Sequence, residues 1–229
     1  MPALLSIIIP TYQSAQYLGP TLVPLYKGLH DHLIHELIVC DASEDLATQT
    51  IANEVGARYF NTLKGRGSQL DYGAKQAKGI WLLFLHADTH LADNWSQVCT
   101  EHINTYPHQA GYFQLKYSAQ GIFPFLTSAF ANFRSKLFGL PYGDQGLLIS
   151  RDLYNHIGGF PDIPLMEDVY IARKLKGRLR GLNCYAQTDA ERKIKSGWIK
   201  SGVSNLILLT RYLMGTHPNK LYKDYYKSR

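Results

Sequence analysis

Ile80-Trp-Leu-Leu-Phe-Leu-His-Ala-Asp-Thr89 is the stretch on which the fold turns. Its apolar run from Ile80 to Leu85 shows no alternation. Such a run reads as a strand covered on both faces, as in a parallel sheet. In open α/β sheets ligands sit just beyond the carboxyl ends of strands. Asp88, arriving as the run ends, is therefore placed to hold a metal or a phosphate-bearing ligand.

Outward from that stretch, the chain before it alternates strand and helix. Leu5 to Ile9 is a buried strand, closed by Pro10, which cannot donate to a ladder. Thr11, Tyr12 and Gln13 then form a loop. A helix through Leu22, Leu25 and Leu29 follows, with Pro20 and Pro24 predicting a late start or a kink. Glu36 to Cys40 is the second strand and ends on Asp41. Ser43 suits the N-cap of a helix that carries Leu46, Ile51 and Val55 and stops at Gly56. A short strand at Arg58 to Phe60 leads to the glycine-rich basic loop Lys64 to Ser68 and a helix over 68–78. This alternation predicts an α/β fold: a doubly wound, mostly parallel sheet flanked by helices.

After the central stretch, Asp93 can cap a helix bearing Trp95, Val98, Cys99, His102, Ile103 and Tyr106. Gly111 to Ser118 alternates and predicts a half-covered, antiparallel strand. The Phe-rich run Ile122 to Leu140 predicts a helix serving the core or an acceptor groove. Tyr142 to Gly146 is a tight turn before a strand at 147–149, and Ser150 caps a short helix. A helix opens at Met166-Glu-Asp-Val169, a strand lies near 182–187, and a final helix spans 198–214. The expected division is a catalytic domain over 1–190 with a basic, helical extension over 191–229 packed on it.

The 229 residues carry a net charge of +6, with 45% hydrophobic and 18% charged residues. This is ordinary globular composition, and the positive excess suits an anionic ligand or an anionic surface. Beyond the charge nothing favours nucleic acid as a partner. The three scattered cysteines, the lack of a signal-peptide core and the lack of a spanning segment point to the cytoplasm. The apolar last helix leaves three uses open: packing on the domain, a homodimer seam, or peripheral contact with the inner face of a membrane.

Asp41, Asp88 and the Glu167-Asp168 pair stand at strand ends or a helix start, with Arg66 in the glycine loop. Carboxylates around a metal, beside a basic group, suit a nucleoside diphosphate. The ordered set Ile7-Ile-Ile-Pro-Thr-Tyr12, Leu37-Ile-Val-Cys-Asp41, Gly65-Arg-Gly-Ser-Gln-Leu-Asp-Tyr-Gly73, Leu83-Phe-Leu-His-Ala-Asp88, Gly158-Gly-Phe160 and Glu167-Asp168 resembles the family 2 glycosyltransferases. Within them it is similar to a bacterial subgroup with a His-Ala-Asp variant of the D-x-D motif.

That resemblance implies the GT-A fold and inverting, metal-assisted transfer of a sugar from a nucleotide-sugar donor to a glycan, lipid or small-molecule acceptor. By match, Pro10, Thr11 and Tyr12 would flank the base and Asp41 would accept a hydrogen bond from it. Arg66 and Arg192 (with Lys193) would lie near the diphosphate, and Asp88 would bind Mn²⁺ or Mg²⁺. Asp168, with Glu167 beside it, would be the general base. His86 stands where the first Asp of D-x-D usually stands, near the metal and ribose. Asp144 and Gln145 would meet the acceptor or donor sugar. Each has a plainer competitor: Asp41 and Asp88 as helix or loop caps, Glu167 and Asp168 as dipole partners, Asp144 and Gln145 as turn residues, Arg66 and Arg192 as surface cations. A non-catalytic nucleotide-sugar or membrane-surface binder, and a sugar-phosphate nucleotidyltransferase, are the alternative functions.

Overall fold

The structure, a computed structural model, describes residues 4–227 and all of their side chains except those of Arg192, Tyr226 and Lys227. In chain order it holds β1 (Leu5–Thr11), α1 (Ala15–Leu22), α2 (Tyr26–His30), β2 (Ile34–Asp41), α3 (Ala47–Glu54), β3 (Arg58–Asn61), α4 (Arg66–Gln76) and β4 (Trp81–Phe84). Then come β5 (Thr89–Leu91), α5 (Trp95–Thr105), β6 (Ala110–Tyr117), α6 (Ile122–Phe138), β7 (Leu147–Ser150), α7 (Arg151–His156) and α8 (Glu167–Lys174). The chain closes with β8 (Leu179–Thr188), α9 (Glu191–Ser196), α10 (Trp198–Leu213) and α11 (Pro218–Lys227).

One eight-stranded sheet runs in the order β3-β2-β1-β4-β7-β6-β8-β5. Its first half is parallel, and β7 then enters antiparallel to β4. Side chains alternate across the sheet. Leu5, Ile7, Ile9, Trp81, Leu83 and Leu85 join one core with Leu18 and Leu22 of α1 and with Trp95 and Cys99 of α5. Ile8, Ile38, Leu82 and Phe84 join the other, with Leu70, Leu153 and Ile171 from α4, α7 and α8. Both faces are covered, which is why the strands read as unbroken apolar runs.

Several expectations need correcting. Pro10 does not close β1. The β4 ladder ends at Ile8, so the missing N–H of Pro10 points where no strand asks for it. The first helix breaks into α1, a 3₁₀ turn at Val23–Leu25 and α2, the kink foreseen from the prolines. Leu29 lies in α2, as expected of a helical residue, and is half exposed. Ser43 does not cap α3, because its hydroxyl is engaged with Asp41 Oδ1 and the Gln13 N–H. Asp93 does not cap α5, which starts after Asn94, and β5 was not foreseen. β6 pairs antiparallel with β7 and parallel with β8. At the C-terminal end, Leu208, Leu209 and Leu221 pack on Met166 and Val169, so α10 and α11 close over the start of α8.

Candidate active site

The sheet brings four chain segments to one rim. β1 and β4 end side by side, where the winding direction changes, delivering Pro10–Tyr12 and His86–Asp88. The antiparallel pairing Phe84↔Leu147 returns the amino end of β7, with its 3₁₀ turn Gly143–Gln145, to the same point. The pairing Thr89↔Thr188 does the same for the end of β8, and the Asp189 N–H donates to the Asp88 carbonyl at 3.3 Å. The amino ends of α4 and α8 complete the rim. Between these segments lies a cleft of about 740 Å³, within the roughly 300–1,000 Å³ usual for small-molecule sites.

Pro10, Thr11, Tyr12, Arg66, His86, Asp88, Asp144 and Asp168 all line this cleft. Asp41 does not. It is fully buried behind Thr11, accepting from Thr11 Oγ1 (2.8 Å), Ser43 Oγ (2.8 Å) and the Tyr59 hydroxyl (3.2 Å). As placed it holds Thr11 and Ser43 from behind the cleft wall. Tyr12 is partly exposed and carries Lys64 Nζ 3.7 Å from its ring centroid, a cation–π contact.

The adjacent carboxylates of α8 divide their work. Glu167 is buried, lies outside the cleft and pairs with Arg66 Nε. Burial lifts its carboxyl above the usual range against the pull of Arg66. Asp168 faces the cleft. Its Oδ2 accepts from the Gly143 N–H at 3.0 Å, its Oδ1 from its own helix at Val169 N, and Arg66 Nη2 stands 3.9 Å away. Arg66 starts α4 instead of riding in a loop, and it ties α4 to both carboxylates rather than standing free for a ligand.

Asp144 projects into the cleft with one carboxylate oxygen, Oδ1, buried without a hydrogen-bond partner. Burial, with Asp168 and Asp88 adding to it and Arg134 and Lys193 opposing, pushes its carboxyl up to about 6. Gln145, expected at a sugar, is fully buried instead. It accepts from Ser135 Oγ at 2.6 Å and donates to the Phe113 carbonyl at 3.1 Å, which fixes the turn. The side chain of Arg192 lies outside the described residues, whereas its neighbour Lys193 lines the cleft and donates to Ser201 Oγ at 2.8 Å.

Arg134 escaped the sequence reading. It sits on the inner face of α6, buried, with its guanidinium 3.5 Å from the centre of the Tyr142 ring, and it donates to the Leu140 carbonyl at 2.9 Å. A single arginine in helical register with Ala131 and Ser135, inside a Phe-rich run, was the available signal. Gln69 also went unnoticed. Its amide donates to the Thr11 and Cys40 carbonyls and pins α4 to the ends of β1 and β2.

The donor set fits a divalent cation. Among the described residues five carboxylates (Asp88, Asp144, Asp162, Asp168 and Asp189) line the cleft against three basic side chains, Lys64, Arg66 and Lys193. A diphosphate would meet a net negative wall, and a divalent cation cancels that excess. The Asp144 carboxyl is raised first by burial and then by Asp168 and Asp88, and its Oδ1 is left without a hydrogen-bond partner. No three His, Cys, Asp or Glu side chains among the described residues gather into a self-contained metal centre. Cations of the Mg²⁺ type commonly bind through one or two carboxylates completed by ligand phosphates.

Comparison with known proteins accords with this architecture. TarS from S. aureus, solved with UDP-GlcNAc, superposes with a TM-score of 0.61 at 19% identity, covering 82% of this chain and 59% of that one. For another crystal structure of TarS 1-349 the figures are 0.58, 20%, 82% and 58%. The chain thus spans less than two-thirds of TarS. The mannosyltransferase PcManGT from Pyrobaculum calidifontis, in complex with GDP-Man and Mn²⁺, gives a TM-score of 0.66 at 17% identity, covering 96% of this chain and 67% of that one. At these identities the likeness establishes the GT-A fold. No curated protein matches the sequence. The sequence model of glycosyl transferase family 2 matches residues 6–156, about two-thirds of the chain, from the second residue of β1 to the end of α7, so the chain belongs to that family.

Proposed function

We propose that this protein transfers a glycosyl group from a nucleoside diphosphate sugar to an acceptor hydroxyl, with inversion. The observation that carries the reading is the placement of Asp88 and Asp168 on one cleft, on separate elements, with Pro10–Tyr12 alongside. Family membership and the nucleotide-sugar complexes of TarS and PcManGT support it.

In this reading Tyr12 and the backbone of Pro10 and Thr11 bound the base, and Lys64 and Lys193 face the diphosphate. Asp88 would hold Mn²⁺ or Mg²⁺, with Asp144 within electrostatic reach. Such a cation, when bound, neutralises charge developing on the departing diphosphate. Asp168 Oδ2 takes the proton of the acceptor hydroxyl as its oxygen bonds to the anomeric carbon. The bond from that carbon to the diphosphate oxygen breaks, and its electron pair leaves with the diphosphate. Arg66 and the Gly143 N–H hold Asp168 in place, and Glu167 holds Arg66. His86, in contact range of Gly143, walls the cleft beside Asp88.

Thermal-shift titration of nucleoside diphosphates, with and without Mn²⁺, tests this. Stabilisation by at least one diphosphate should require Mn²⁺ and vanish in Asp88→Ala. Stabilisation that persists in Asp88→Ala would remove the metal assignment. Absence of turnover with every nucleotide sugar, despite tight nucleotide binding, would make the protein a binder instead.

A further inference from the structure

α6 and α10 lie against each other on one flank of the molecule, and both turn apolar side chains to solvent. At 100° per residue, Ile122, Leu126, Phe130, Phe133 and Leu137 fall within one narrow face of α6. Each of them is at least half exposed. The opposite face, with Ala131, Arg134 and Ser135, is buried. Helix α10 repeats the arrangement. Ser201, Asn205 and Leu208 line the cleft, while Ile199, Val203, Leu206 and Ile207 form an exposed stripe on the other side of the same helix. Monomeric soluble proteins rarely leave so many large apolar side chains contiguous in water.

The charges around this face select its occupant. From Gly121 to Gly143, and again from Arg192 to Lys223, the chain contains no aspartate or glutamate. Lys136 and Lys200 flank the two stripes by helical position, and Lys220 and Lys223 follow on α11. A second copy of this chain, docked face to face, would set lysine against lysine. An anionic bilayer offers the complement: headgroups for the lysines and acyl chains for the phenylalanines. No helix among the described residues is long and apolar enough to cross a membrane, so the contact lies in the interface.

We infer that the α6–α10 face is a docking surface for an anionic lipid bilayer, held by its apolar stripes and steered by its lysines. The cleft then stands one helix width, about 10 Å, from the lipid surface. The inference needs only this surface, not the chemistry of the cleft.

Flotation with vesicles of phosphatidylcholine, with and without phosphatidylglycerol, tests it on the full chain. The wild type should float with the mixed vesicles at low salt and bind pure phosphatidylcholine about tenfold or more weakly. The pair Phe130→Gln/Phe133→Gln should lose about tenfold or more in binding while melting like the wild type. The pair Lys136→Gln/Lys200→Gln should bind more weakly and with a shallower salt dependence. Failure to float with phosphatidylglycerol vesicles, or equal binding by the phenylalanine pair, would overturn the inference. So would a stable dimer in sedimentation velocity that the phenylalanine substitutions dissolve, since the face would then be a self-interface.

Discussion

Adjacent carboxylates at the start of α8 have opposite surroundings, and they should fail in opposite ways. Asp168→Asn keeps the hydrogen bond from Gly143 within reach but removes the proton acceptor. Turnover with the cognate donor should fall by about 10²–10⁴-fold, with melting temperature and nucleotide affinity nearly intact. Glu167→Gln instead leaves Arg66 without its buried partner. Breaking a buried ion pair costs about 3–5 kcal/mol. Here Arg66 is 40% exposed, so solvent recovers part of that and a loss of about 2 kcal/mol in denaturant unfolding is expected. Asp144 makes a prediction in pH. Its folded pKa of about 6 lies above the unfolded value of about 3.9. The unfolded chain therefore sheds this proton first. The contribution of Asp144 to stability is greatest below about pH 4, declines as pH rises toward about 6, and is flat beyond. Asp144→Asn should abolish that decline and raise stability at pH 7 by about 2 kcal/mol, read from denaturant midpoints across pH 4–7.

Among the elements, those built from neighbouring residues were legible and those set by distant partners were not. The runs that became β1, β2 and β4 announced themselves because two helical layers bury both faces, a local property of sequence. β5 did not, since Thr89–Leu91 is a strand only by pairing with β8. Ser43 and Asp93 had the chemistry of caps, but a buried aspartate claimed the first and an irregular start at Asn94 displaced the second. At the site the sequence reading named Pro10, Thr11, Tyr12, Arg66, His86, Asp88, Asp144 and Asp168, and each of them lines the cleft. It could not show that Asp41, Glu167 and Gln145 are turned inward, because burial depends on packing. Helix α4 illustrates the point. Gly67 and Gly73 read as loop and helix glycines, yet a Cβ at Gly67 would strike the Pro161 carbonyl and crowd Glu167, and one at Gly73 would meet Ile8 and Cys40. The missing side chains let α4 close onto the sheet and the approach to α8. Gly67→Ala should therefore part α4 from α8. A loss of about 1–3 kcal/mol and a weakened response to nucleoside diphosphate in the same thermal-shift assay are expected.

For the molecule as a whole, burial makes the three cysteines reporters of opening. Cys40, Cys99 and Cys184 are free and nearly inaccessible, and burial raises each thiol, to about 12 for Cys40 and about 11 for Cys184. The native protein should stay unlabelled by a thiol reagent for hours. Labelling should accelerate only with denaturant, in step with unfolding; prompt reaction of one thiol in buffer would contradict this packing. The sheet's order also has a temporal side. Strands β3-β2-β1-β4 pair within the first 84 residues of the chain, so they can assemble while the remainder is still being synthesised. β6 and β5 cannot finish, because β8, the last strand made, is the ribbon inserted between them, roughly a hundred residues after β5. Until it arrives, a nascent chain carries two unpaired edges beside the half-formed cleft, and only the late insertion of β8 sets Asp189 against Asp88 and turns a folded scaffold into a site.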